Sequence, residues 1–525
     1  MKKSIFILVL LLAVVSCKQQ YGTYYIDSDA GSDDNEGTSP RKPWKTLVPA
    51  NKHVFGPNER LRLKAGSVFY GQLELKGNGS EGAPVIVDCY GEGKKPVIHG
   101  MGEKEYALLL ENVSYWEVYN LEITNKGDRD VEKRRGVLVR AINAGDCRHI
   151  YLEYLSVHDV NGSLFKAKGG GTGIYWQNGG DSIPTRFIDL RIENCHIYDC
   201  QRDGITSWGN VERSKWHPSL QVAIRDNLIE RVPGDGIVPI GCDGAVVERN
   251  QVRNGTDLLD INDAAAGIWP WSSDNTVIQY NEVSGHSAKW DGQGFDSDYN
   301  CRNTLIQYNY SHDNAGGFLL ICNDGGSLGE EYNIGTENTI IRYNISVNDG
   351  VRKYPTRSGW FSPTIHISGP VKNTKIYNNM FIMTNKPVEE ADRTVIKVDN
   401  WGGPWPDDVF FANNIFYNID DAHSYRFDLA SGTNFRFINN LYHGNFAKLP
   451  EDPQAVFAGP LFADIPSTDG TGDKSLMEGL ELLDPSICRG KGIYIPDCGL
   501  REFETTHPDS IFMSIGPFYP RFISP

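Results

Sequence analysis

The chain has 525 residues, a net charge of −16, 55 glycines, 25 tyrosines and 11 tryptophans. That length suits several domains or one large repeat structure. With no basic run or stripe, the acid excess argues against nucleic acid or an anionic membrane surface as partner. It also argues against a polyanionic substrate, unless bound cations reverse the local field.

The N-terminus reads MKKSIFILVLLLAVVSCKQQ. Two lysines precede an apolar run from Ile5 to Val15, too short to span a bilayer comfortably and matched to a signal-peptide core. The segment VVSC resembles a bacterial lipobox, which implies cleavage before Cys17 and lipidation of that residue. A lipoprotein signal at 1–17 would anchor the protein to the bacterial cell envelope, its only expected tie to a membrane. No later apolar run has the length of a membrane helix. The acidic stretch 27–37 (DSDAGSDDNEG) could hold Ca2+ through Asp27, Asp29 and Asp33, but it lacks EF-hand spacing and reads better as a solvated cap loop. Ca2+ is thus possible, no cofactor is required, and no metal-ligating set is assigned. Nine of the ten cysteines follow Cys17. Export permits disulfides, and Cys195/Cys200 and Cys488/Cys498 are near enough in sequence to pair. Buried free thiols are the preferred reading for most.

From residue 186 onward one signature recurs. NTVIQYNEV, NTLIQYNYS, NTIIRYNIS and NTKIYNNMF almost superimpose, with looser copies on either side. The recurring asparagines are Asn194, Asn227, Asn250, Asn281, Asn309, Asn344, Asn379, Asn414 and Asn440. Their spacing is that of stacked repeats. Apolar residues alternate within each copy, so the copies are strands. The fold class that follows is all-β: a single-stranded right-handed parallel β-helix, a solenoid with caps at both ends. Asparagines at one corner would form a ladder, and glycines at another would permit close backbone approach or positive φ. The expected division is an N-terminal cap with the first coils at 18–100, the helix body at 101–445 and a C-terminal capping region at 446–525.

Three stretches carry a family resemblance: YYIDSDAGSDDNEGTSPRKPWKTL near the start, LRLKAGSVFYGQLELKGNGSEGAPVIVDCYGEGKKPVIHG after it, and the ending MEGLELLDPSICRGKGIYIPDCGLREFE with SIGPFY. The chain resembles secreted, pectate-lyase-like right-handed β-helix carbohydrate-active enzymes over nearly its whole mature length, and among hydrolases it is loosely similar to glycoside hydrolase family 141. The resemblance implies a poly- or oligosaccharide substrate.

A second set of strands begins with glycine and then an apolar residue: Ile174, Ile205, Ile237, Ile268, Phe295 and Phe318. If these point inward, the next residue and the one two beyond it point outward. The outward pairs are Tyr175/Gln177, Thr206/Trp208, Val238/Ile240, Trp269/Trp271, Asp296/Asp298 and Leu319/Ile321. Only the strand within WDGQGFDSD has acids at both outward positions. Trp208, Trp269, Trp271 and Trp290 would form a sugar platform beside them, unless a long loop such as NGTDLLDINDAA or NWGGPWPDD covers that face.

Asp296 and Asp298 are the expected catalytic pair. Stems two strand residues apart stand about 6.5–7 Å from each other, a spacing that side-chain rotamers blur between the retaining and inverting windows of glycosidases; inversion is what the resemblance to β-helix hydrolases implies. Calcium ligation or plain solvation is the bland reading of the same pair. Asp324 and His312 are further catalytic candidates, although turn capping suits His312 as well. Asp203, Asp235 and Asp263 are candidate substrate contacts. The DGI of Asp203 and Asp235 resembles galacturonase-type β-helices, where such an aspartate is catalytic, but the paired aspartates and RIK segment of that family are missing. His286, His366 and Lys397 have weak claims.

The leading expectation is a glycoside hydrolase. A calcium-dependent polysaccharide lyase is the alternative. One lyase family has a lysine four residues after the strand glycine, where this chain has Asp298. A lipid-anchored glycan-binding protein is the second alternative.

Overall fold

A computed structural model describes residues 22–325, 333–431 and 433–462, with short pieces at 486–488, 491–493, 495 and 516–517. Cys17, Cys498 and most of the C-terminal capping region lie outside the described residues.

Alternating apolar residues make strands of two to eight residues, and every named strand pair is parallel. Among the described residues the strands form a 16-stranded sheet, a 13-stranded sheet and a third face of two six-stranded runs. The coils pass through the three faces in turn, the one carrying Ile268 joining the third face only by isolated bridges, and the coil is right-handed, as twisted strands require of parallel crossovers. The first sheet starts at Thr23–Ile26, so coiling begins within the N-terminal region, where the short helix Val48–Lys52 packs against strand Leu73–Leu75. Apolar side chains fill the interior as continuous columns. Ile174, Ile205, Ile237, Ile268, Phe295 and Phe318 all belong to one core, as expected.

The asparagine ladder runs through the corner. Asn227 Nδ2 donates to Asn250 Oδ1 at 2.9 Å, and the same bond repeats through Asn281, Asn309, Asn344, Asn379 and Asn414 to Asn440. Asp452 accepts the last amide at 2.9 Å. Asn194 is not on the ladder. It occupies the positive-φ turn position, φ 54°, that Asp226, Arg249 and Tyr280 fill in later coils. Cys195 stands at the ladder position instead, its N–H donating to Asn227 Oδ1 at 2.9 Å.

The strand glycines act by close approach. A Cβ on Gly267 would stand 2.4 Å from the carbonyl oxygen of Gly294. The described cysteines are free thiols, all buried except Cys89, which is half-buried. The acids of the cap loop hold turns. Asp27 accepts the N–H groups of Asp29 and Ala30, and Asp33 those of Lys45 and Thr46. Among the described residues no three His, Cys, Asp or Glu side chains are grouped to hold a metal. No described helix is long and apolar enough to cross a membrane.

Candidate active site

The third face opens into a cavity of about 680 Å³. Its floor comes from strand Phe295–Ser297 and the coils beside it. Strand pairing sets Ile237 against Ile268 and Ile268 against Phe295, which brings Val238, Trp269 and Asp296 into one column. Gln177, Trp208, Ile240, Trp271 and Asp298 follow in the next.

On the far side one expectation changes. Phe295 pairs with Leu319, not Phe318, one residue later than the sequence alignment expects. Leu319 and Ile321 therefore point into the core, and Leu320 and Cys322 face the cavity. Leu320 pairs with His366, and His366 with Lys397. His366, given little weight from sequence, is thereby carried into the cavity wall, where Nε2 lies 2.9 Å from Asp399 Oδ2.

Five carboxyls line the cavity, and three of them, Asp291, Asp296 and Asp298, have their proton affinity raised, whereas Asp235 and Asp399 have theirs lowered. Asp296 is 3% exposed, and its Oδ1 is buried without a hydrogen-bond partner. Burial, then the charges of Asp291 and Asp298, push its carboxyl well above the ordinary range. Asp291 and Asp298 keep more exposed surface than Asp296. Burial raises Asp298, and bonds from the Cys322 thiol at 3.1 Å and the Tyr299 N–H at 2.6 Å pull it partly back, leaving it at about 6. Burial raises Asp291 too, against the charges of Lys166, Arg352 and His366. Asp291 escapes the sequence reading because it lies on a separate two-residue strand, Trp290–Asp291, ahead of the alternating one, with φ 61°.

Trp269, Trp271 and Trp290 line the cavity, joined by Trp401 of the NWGG segment. Trp269 is 8% exposed, with Lys166 over its ring and its indole N–H donating to Asp235 at 3.0 Å. Arg357 lies over Trp290, 3.8 Å from the ring centre. Trp208 stands beside the cavity lining, 40% exposed, edge-on to Trp271. Loops do cover part of the face. Val238 and Ile240 are buried in a cluster with Trp269, and Val211 and Trp271 pack against it. Ala264 and Ala265, from the other candidate loop, also line the wall.

The remaining candidates do other work. Arg202, fully buried, pairs with Asp203, with Asp235 at 3.0 Å and with Asp263 at 3.2 Å. Asp203 and Asp263 are thus its counter-ions and lie off the cavity lining; a buried guanidinium needs such partners. Asp235 does reach the wall. Burial raises it, but Lys166 and Arg202 outweigh that and hold it at about 2. His312 sits on the 13-stranded sheet, away from the cavity, 2.7 Å from Asp313 and 3.5 Å from Glu282. Asp324 follows strand Leu319–Cys322 and is not in the cavity lining.

Residues 140–381 match the family described as "Right handed beta helix region". The chain is 29% identical to a lacto-N-biosidase of Bifidobacterium longum subsp. longum over 87% of its length, but spans only 33% of that protein. A stretch covering 12% of the chain is 38% identical to an alpha-1,3-galactosidase A of Akkermansia muciniphila, over 11% of that protein. The crystal structure of a GH136 lacto-N-biosidase from Eubacterium ramulus superposes with a TM-score of 0.58 at 25% identity, covering 79% of this chain and 68% of that one. The solved relative thus carries family number 136, where the sequence likeness pointed to 141. The chain is a right-handed parallel β-helix protein, similar in sequence and fold to lacto-N-biosidases.

Proposed function

We propose that the chain is a glycoside hydrolase that cleaves an oligosaccharide in the acidic cavity, with a lacto-N-biosidase substrate the first to try. The observation that carries this reading is the set of three carboxyls of unequal proton affinity in one tryptophan-lined cavity. Hydrolysis of a glycosidic bond needs a proton donor and a carboxylate at the same bond.

Asp298, ionised above about pH 6, supplies the carboxylate that meets the developing positive charge on the sugar. Asp291, raised by burial and still accessible, gives the proton to the departing oxygen. Asp296, uncharged beneath them, is the floor of the cluster rather than a partner at the bond. This departs from the pairing of Asp296 with Asp298 expected from the strand. The anomer of the first product, read by NMR, tells whether water or Asp298 attacks the sugar. Trp271 and Trp290 offer indole faces to pyranose C–H groups. Lipidation at Cys17 would hold the enzyme at the cell envelope.

Asp291→Asn and Asp298→Asn are each expected to lower kcat by about 10²–10⁴-fold while oligosaccharide binding persists. Turnover at the wild-type rate in either variant would overturn the assignment. Loss of activity on chelation, with an unsaturated product, would favour the calcium-dependent lyase instead. Binding without any product would favour the glycan-binding protein.

A further inference from the structure

We propose that Cys322 is a positioning residue for Asp298, its thiol fixing the carboxylate that faces the sugar. The inference rests on the hydrolase reading above for its meaning in catalysis, but the bond itself stands apart from that reading. Cys322 ends strand Leu319–Cys322, on the coil after the acidic strand. Ser297 pairs with Ile321, so Asp298 and Cys322 are neighbours across the coils and point the same way. Cys322 is 1% exposed, lines the cavity and donates from Sγ to Asp298 Oδ1 at 3.1 Å.

A buried thiol beside carboxylates stays protonated. Burial, then the charge of Asp298, push Cys322 well above the usual thiol range. It therefore remains a donor across the working pH range and does not compete as a nucleophile. The same arrangement recurs farther along this face. Cys322 pairs with Ser368, and Ser368 with Asp399. There the Ser368 hydroxyl donates to Asp399, and His366 Nε2 lies 2.9 Å from the other carboxylate oxygen. Asp298 and Asp399 thus each have a short side chain from a neighbouring coil aimed at them.

The groups acting on Asp298 come from several elements. Asp291 and Asp296 lie on its own coil, and Lys166 reaches in from an earlier loop. Tyr299 follows it, and His366 and Asp399 stand on later coils of the same wall. Among these Cys322 is the side chain that hydrogen-bonds the carboxylate. Removing it takes away a donor to the charged form, and the proton affinity of Asp298 rises. Serine restores a donor at the same place.

The test compares wild type, Cys322→Ala and Cys322→Ser by two readouts. The first is kcat/KM against pH on a hydrolysed oligosaccharide. The second is NMR titration of the Asp298 carboxyl carbon, which needs no turnover. In Cys322→Ala the acid limb is expected to move up, lowering kcat/KM about fivefold at pH 6 and less than about 1.5-fold at pH 8. The carboxyl titration moves the same way, and Cys322→Ser returns both. A loss equal at all pH values, with the titration unmoved, would overturn the proposal. Absence of turnover on every glycan, with the titration still shifted in Cys322→Ala and restored in Cys322→Ser, would defeat the hydrolase reading and leave the positioning bond standing.

Discussion

Opposed forces set the proton affinity of Asp298: burial raises it, and two donors pull it back to about 6. Activity that requires its charge should fall as pH drops through about 6, and a bell-shaped kcat/KM profile with that acid limb is expected. An acid limb near pH 4 would mean that Asp298 is solvated like an ordinary surface aspartate. His312 gives a second pH signature, in stability. Burial lowers it, but Asp313 and Glu282 outweigh that and raise it to about 9 from 6.5. Its contribution is full below about pH 6.5 and is lost as pH rises through about 9. Urea unfolding should show wild type losing more stability than His312→Asn over that interval, and equal losses would remove the ion pairs from the account. At this scale the sequence shows Asp296, Asp298, Trp269 and Trp271 because one strand breaks the pattern of its siblings. It hides Asp291, which lies on a separate short strand outside the alternation, and His366, which reaches the wall through the pairing of Phe295 with Leu319 and of Leu320 with His366.

The corner ladder is the element whose logic is most legible. One asparagine per coil, flanked by alternating apolar residues, is enough to infer a stacked amide column. What the spacing cannot reveal is where the column starts: Asn194 looks like a rung, yet its backbone takes φ 54° and Cys195 holds the rung. The two roles predict different costs. Asn309→Leu leaves the backbone N–H and the side-chain amide of Asn281 without their acceptor in the buried corner. That should cost about 2–4 kcal/mol in a denaturant titration. Asn194→Ala loses only a residue tolerant of left-handed backbone, about 1 kcal/mol. Equal costs would mean that the amides do not act as a column.

Across the whole molecule, the cavity depends on coils distant in sequence. Arg202 joins Asp203, Asp235 and Asp263, and Asp235 in turn holds Lys166 and the Trp269 indole at the cavity wall. Arg202→Met leaves three carboxylates without their shared cation and should destabilise the fold by about 3–5 kcal/mol. The sequence yields the solenoid because its repeats are local. It does not yield this network, because the partners come from separate coils and an irregular loop. The measurement that bears most directly on the central claim is product analysis with the protein lacking residues 1–17, on neutral and uronate-containing oligosaccharides, with and without a chelator. New reducing ends and ultraviolet absorbance are followed together. The account predicts reducing ends without absorbance, unaffected by chelator and lost in Asp298→Asn. Absorbance from an unsaturated sugar that disappears with chelator would contradict it.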